Sequence, residues 1–112
     1  MGLDSYRTID AIGTDKETGV VVLTIEDSWS WANEDAHLRA LQAKLNTYFE
    51  YIASGKFVKD YPQGIGRPFR LDIIARCEIP VSANPLLNQA RHLASTIGFP
   101  LIHRVLPQPP PE

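Results

Sequence analysis

The sequence is poor in the residues that cross-link and ligate: of 112 residues, one is cysteine, one is methionine and three are histidine. A lone cysteine, Cys77, closes no intramolecular disulfide, and a structural zinc site takes about four Cys or His ligands. The chain therefore reads as a protein of a reducing compartment. Long apolar runs are missing too, since nothing approaches the roughly 20 residues that cross a bilayer. Met1 to Tyr6 lacks the basic and then apolar pattern of a secretory leader. Met1-Gly2 opens like a myristoylation signal, but Tyr6 stands where that signal needs Ser or Thr. The expectation is a cytoplasmic protein with no membrane partner.

A surplus of charge of one sign is also absent. Eleven Lys and Arg against thirteen Asp and Glu leave a formal charge of −2, which gives no long-range attraction for phosphate backbones. Nucleic acid is excluded as the expected partner. Arg67, Arg70 and Arg76 fall close together, yet Asp72 and Glu78 alternate with them, which describes a solvated strand face with cross-strand ion pairs.

What is present is ordinary globular composition, 44% apolar and 21% charged. A chain of this length buries roughly two-thirds of its unfolded surface around one core. Residues 1–106 read as a single domain. Pro107 to Glu112 holds four prolines and reads as an extended C-terminal tail.

The pattern along the chain gives alternating elements. Ile9 to Asp15 and Gly19 to Glu26 are β-rich runs joined by Lys16-Glu17-Thr18, which predicts a hairpin closing on Gly19. Val21, Leu23 and Ile25 share one face and Val20, Val22 and Thr24 the other, as in a central or covered strand. A helix follows, with Ser30 or Asn33 as its cap and Glu34 and Asp35 in the first turn. Its buried stripe is Leu38, Leu41, Leu45, Tyr48, Phe49 and Ile52, and Ser54-Gly55 stops it. Lys56 to Pro68, with Tyr61-Pro62, Gly64 and Gly66, reads as a surface loop.

Phe69 to Glu78 alternates as a strand, with Cys77 on its apolar side as a small buried hydrophobe; a reactive thiol is the lesser reading. Asn84-Pro85 reads as a cap and first helical position. Leu86, Ala90, Leu93 and Ile97, joined by Leu87 and Ala94, line the second helix to Gly98. Leu101 to Leu106 is the last strand. The order β-β-α-β-α-β predicts an α+β two-layer sandwich: a four-stranded sheet with two helices on one face, the third and fourth strands parallel through a helical crossover.

Ile9 to Asp15, Thr18 to Asp27, His37-Leu38 through Leu41 to Tyr48, and Ser54-Gly55 with Tyr61-Pro62 together resemble a family of small bacterial proteins grouped as a domain of unknown function. The resemblance covers about two-thirds of the chain by motif and the rest by element order. It implies a short bacterial protein and carries over no catalytic or binding residue.

No constellation for chemistry stands out, so no catalytic, cofactor-binding or metal residue is expected. His37, His92 and His103 lack the i, i+4 spacing of a helical metal site, and His37 and His92 read as surface or core-edge residues. Asp10, Asp15, Asp27 and Asp35 surround the hairpin and helix entrance; paired carboxylates can work as acid and base, but a turn, a strand end and a first helical turn account for the last three. No serine sits in a nucleophile elbow, and Gly64-Ile65-Gly66 lacks the rest of a dinucleotide loop.

The feature that points outward is Trp29-Ser30-Trp31, two indoles between a strand and a helix: either one singly reads as folding back over the first helix, but burying both is difficult. Tyr51, Phe57 and Tyr61 are candidates to extend that patch. The expected function is a non-catalytic protein-interaction module, with self-association through a sheet face or edge as a homodimer, or a separate protein partner. The alternative is a small-ligand binder or minor enzyme with a pocket between the 56–68 loop and the tryptophans, using Asp27, His37 and Arg67 for polar contacts.

Overall fold

The computed structural model describes Leu3 and residues 7–106. The proline-rich tail from Pro107, the Met1-Gly2 pair and Asp4 to Tyr6 lie outside the described residues. The hairpin forms as the sequence predicts, β1 being Ala11–Thr14 and β2 Val21–Asp27, paired antiparallel with Ile12 opposite Leu23. Asp15 organises its turn: its carboxylate accepts from the Glu17 N–H at 2.8 Å and its carbonyl from the Gly19 N–H at 2.8 Å. Gly19 needs its freedom there, with φ at +76°.

Helix α1, Glu34–Ala53, starts where Asn33 accepts the Ala36 N–H at 3.1 Å, and its first turn carries Glu34 and Asp35. Gly55 follows in the left-handed conformation. Leu41, Leu45, Tyr48 and Phe49 are buried while Leu38 and Ile52 pack partly against the core, so the predicted stripe holds. His37 and Lys44 are buried with it, an outcome the apolar periodicity does not contain.

The expected loop is shorter than it reads. A five-residue helix α2, Lys56–Asp60, and a 3₁₀ turn, Pro62–Gly64, fold its first half, because Phe57 turns inward onto Phe69. The described order is thus β-β-α-α-β-α-β. Strand β3, Phe69–Ala75, stops before Arg76 and Cys77. Its partner β2 ends at Asp27, whose carbonyl takes the Arg76 N–H at 2.9 Å, and the chain then leaves the ladder. Cys77 is consequently only half-buried.

Helix α3, Asn84–Ile97, has Ala83 rather than Asn84 at its cap, with no side-chain cap bond, and enters through a 3₁₀ turn, Val81–Ala83. Leu87, Ala90 and Ala94 face the core, whereas Leu93 and Ile97 remain 45% and 42% exposed. Leu87 and the two small alanines form the buried face, and Leu93 and Ile97 sit at its rim. Strand β4 is Leu101–Val105.

The sheet order is β1-β2-β3-β4, with β2, β3 and β4 parallel. Both long helices lie on the face carrying Val21, Leu23, Ile25, Leu71, Ile73 and Leu101. On the opposite face no element covers the strands among the described residues. There Asp72 is nonetheless buried, 3% exposed, because Arg70 and Arg104 close over it at 3.0 and 2.8 Å; Arg76 reaches Glu26 at 3.5 Å. No described helix is long and apolar enough to cross a membrane.

Leu45 lies at the centre of the helix–sheet contact, 2% exposed. Leu45→Ala is expected to cost about 2–5 kcal/mol in urea unfolding; an unchanged midpoint would refute the assigned face of α1.

Candidate functional site

Asp27 is the last residue of β2 and continues its inward row after Val21, Leu23 and Ile25. His37 lies in the first turn of α1, on the same side of the helix as Leu41 and Lys44. Strand end and helix start thus place the two side chains together, 2% and 1% exposed. This corrects the surface or core-edge position expected of His37: the apolar periodicity begins one residue later, at Leu38, while the helix itself carries His37 inward.

His37 Nε2 lies 2.8 and 2.6 Å from the two Asp27 carboxyl oxygens, and Nδ1 lies 2.9 Å from the Ser30 carbonyl oxygen. A carbonyl only accepts, so Nδ1 carries a hydrogen and donates it. Between Nε2 and the carboxyl group a further proton is held in common. Burial pushes the Asp27 carboxyl above its ordinary range, opposed by the hydrogen bond and charge of His37 and by the Trp29 N–H.

The pair also organises the tryptophans. The Trp29 N–H donates to Asp27 Oδ1 at 3.2 Å. Trp31 stacks on the imidazole with centroids 3.5 Å apart and planes 11° from parallel, and Trp29 meets the ring edge-on at 5.8 Å. Both indoles are half-buried. Trp31 Nε1 is buried and has no hydrogen-bond partner. Chemically, the arrangement is an oriented aspartate–histidine pair with both ring nitrogens already committed. No imidazole nitrogen faces solvent to take a proton from a substrate.

A second buried network holds the middle of α1. Lys44 Nζ reaches Asp10 Oδ1 at 2.7 Å, both side chains fully buried, and Asp10 Oδ2 accepts the Glu26 N–H at 2.9 Å. The Tyr48 hydroxyl accepts the Asp10 N–H at 2.8 Å and donates to the Thr24 carbonyl. Burial pushes the Tyr48 phenol well above its ordinary value. The sequence reading passed over Lys44, although positions 37, 41, 44 and 48 keep helical spacing. A polar residue at a stripe position was the available signal.

The other candidates lie elsewhere. Tyr51 is fourteen residues beyond His37 on α1, about 21 Å at the helical rise. It forms an aromatic group with Phe57 at 6.3 Å, and Phe57 meets Tyr61 at 6.4 Å. Phe57 is 7% exposed, and Tyr61 bonds Thr14 at 2.6 Å. The five aromatics therefore form two groups at opposite ends of α1. Gly64 is packed so tightly under the second group that a Cβ would lie 3.0 Å from Tyr61 and 3.1 Å from Phe57.

Arg67 donates to the Gln63 carbonyl at 3.1 Å and lies 3.5 Å from the Gly19 carbonyl. That is the entrance of β2, roughly 25 Å of extended chain from Asp27. Asp27 and His37 come together; Arg67 does not join them. An open groove of about 570 Å³ runs beside Arg7, Asn46, Glu50, Tyr51 and Lys56, and neither tryptophan lines it. Among the described residues no group of three or more His, Cys, Asp or Glu is placed to hold a metal.

The tryptophan segment lies at the carboxyl end of a parallel strand, beside the turn into α3. A Ser82–Glu34 hydrogen bond ties the two helix entrances together, and the neighbouring Val81 is 81% exposed. Parallel α/β sheets bind ligands where the strand order reverses. The order 1-2-3-4 has no such reversal among its parallel strands.

Residues 1–107 match a family described as a family of unknown function (DUF6572), and the chain belongs to it. No curated protein and no solved structure matches the chain.

His37→Ala removes the anchor of Ser30 and strands the Asp27 carboxyl in the interior. It is expected to lower stability by about 3–5 kcal/mol and to flatten the near-ultraviolet circular dichroism of the tryptophans. Asp27→Asn keeps an acceptor for the Trp29 N–H and is expected to cost less. A tryptophan spectrum unchanged in His37→Ala, measured below its unfolding transition, would reject the anchoring role.

Proposed function

We propose that this family member is a non-catalytic protein-interaction module of the cytoplasm, presenting Trp29 and Trp31 to a protein partner. The observation that carries the reading is the commitment of both His37 nitrogens. One is held by Asp27 and the other by Ser30, inside the segment that bears the indoles. A histidine used in this way contributes rigidity to its neighbours and offers no base.

Rigidity is what an aromatic contact needs. Indole combines a large apolar area with few rotatable bonds, and aromatic anchors dominate many interfaces. Holding them in place before contact reduces the ordering cost of binding. Val81, tied close by the Ser82–Glu34 bond, adds apolar surface on the same edge. In the separate group Phe57 is buried, while Tyr51 and Tyr61 are half-buried like the tryptophans and stand apart from them at the other end of α1.

The small-ligand or enzymatic reading calls for Asp27, His37 and Arg67 to converge on one cavity. Arg67 stands at the far end of β2, and the other two are closed to solvent, so that reading has less support.

The test is a pull-down from a native host with the intact chain as bait, beside Trp29→Ala and Trp31→Ala. The proposal expects a partner captured by the wild type and lost, by tenfold or more in Kd (about 1.4 kcal/mol), in at least one folded variant. A partner indifferent to both changes, or none at all, counts against it.

A further inference from the structure

The β4 edge carries an observation independent of the tryptophans. The Pro100 carbonyl accepts the Leu71 N–H at 3.0 Å, and the Leu106 N–H donates to the Ala75 carbonyl at 2.8 Å. With Leu71 opposite Leu101 and Ala75 opposite Val105, the even-numbered residues of β4 bond to β3. The N–H and C=O groups of Leu101, His103 and Val105 therefore point away from the sheet. Among the described residues β4 has no second neighbour.

Proteins usually guard such an edge with proline, lysine or a bulge, and Leu101–Val105 contains none of them. Its charged residue, Arg104, is turned onto Asp72 at 2.8 Å. Ile102 and Leu106 are 40% and 46% exposed on the uncovered face. The His103 Nδ1 is buried without a hydrogen-bond partner.

We propose that β4 pairs antiparallel with β4 of a second copy about a twofold axis at His103, joining two four-stranded sheets into one of eight. In that register Leu101 lies opposite the second copy's Val105, and His103 opposite its equivalent. All six outward backbone groups of each strand find partners. Ile102 faces the second copy's Arg104, so no two cations stand directly opposite. His103 faces itself. Burial first, and then Arg91, hold its pKa below the ordinary value, which favours the neutral ring such a pair requires.

Twofold β4–β4 pairing fits better than head-to-tail pairing of β4 with β1 of the next copy. Pairing β4 with β1, only four residues long, would leave edges free and propagate into an open filament, whereas a twofold pair closes. One strand pair is well below the roughly 800 Å² per partner of a standard interface. The dimer is accordingly concentration-dependent.

The test is light scattering of the full chain across the micromolar range at neutral pH. His103→Pro removes an N–H that β3 does not use, so the ladder within each copy remains while the central pair is lost. Ile102→Lys, at an exposed position, sets a second cation opposite the other copy's Arg104 in this register. The wild type is expected to dimerise as concentration rises, and each variant to raise Kd about tenfold or more, while Trp29→Ala leaves Kd unchanged. Should His103→Pro fail to fold, Ile102→Lys decides. A wild type that stays monomeric, or a dimer indifferent to Ile102→Lys, overturns the proposal. Neither outcome touches the tryptophan surface.

Discussion

The contact between the Asp27 carboxyl and the His37 imidazole joins the end of the central strand to the start of the longest helix, and the aromatic segment hangs between them. A buried ionisable pair adds little net stability, because desolvating both groups offsets most of their attraction. Its effect is instead geometric. Asp27 holds the Trp29 backbone, His37 holds the Ser30 carbonyl, and the imidazole plane supports Trp31. Six residues of connecting chain, which by composition would be free to move, thereby acquire one conformation.

Lys44 and Asp10 repeat the arrangement two turns further along α1. There the strand-side partner is the approach to β1, with Tyr48 bridging Asp10 to β2 through the Thr24 carbonyl. The two buried pairs lie on the side of the helix toward the hairpin, and leucines and Phe49 fill the remainder. Polar pairs with directional bonds fix the rotation and axial position of α1 more narrowly than apolar packing does, since a one-residue slip would break both at once. The tryptophan surface and the helix register thus depend on the same strand.

Much of this architecture was legible in the sequence. Alternation marked the strands, the Leu41–Leu45–Tyr48 spacing marked α1, and Gly19, Gly55 and Gly98 marked turns that require positive φ. The element order then gave the two-layer sheet. What escaped has a common cause. Apolar periodicity counts only apolar residues, so His37 and Asp72 read as surface and Lys44 was passed over, although each is buried against a charged partner. Phe57 and α2 were hidden in a segment whose prolines and glycines suggested a loop. The Leu93–Ile97 side of α3 was misplaced because the buried face is centred on Leu87, Ala90 and Ala94, two of them alanines that weigh little in an apolar pattern. The tryptophan segment could be named from sequence, but its support could not.

The geometry of the tryptophan segment depends on the imidazole being held between its anchors and beneath Trp31 in solution. Proton NMR of the wild-type protein at neutral pH answers this, through the carbon-bound ring protons of His37 and the exchange rate of its Nδ1 hydrogen. The expected result is ring protons moved strongly upfield by the indole above them, with the Nδ1 hydrogen slow to exchange. Shifts like those of a free histidine, with rapid exchange, would contradict it.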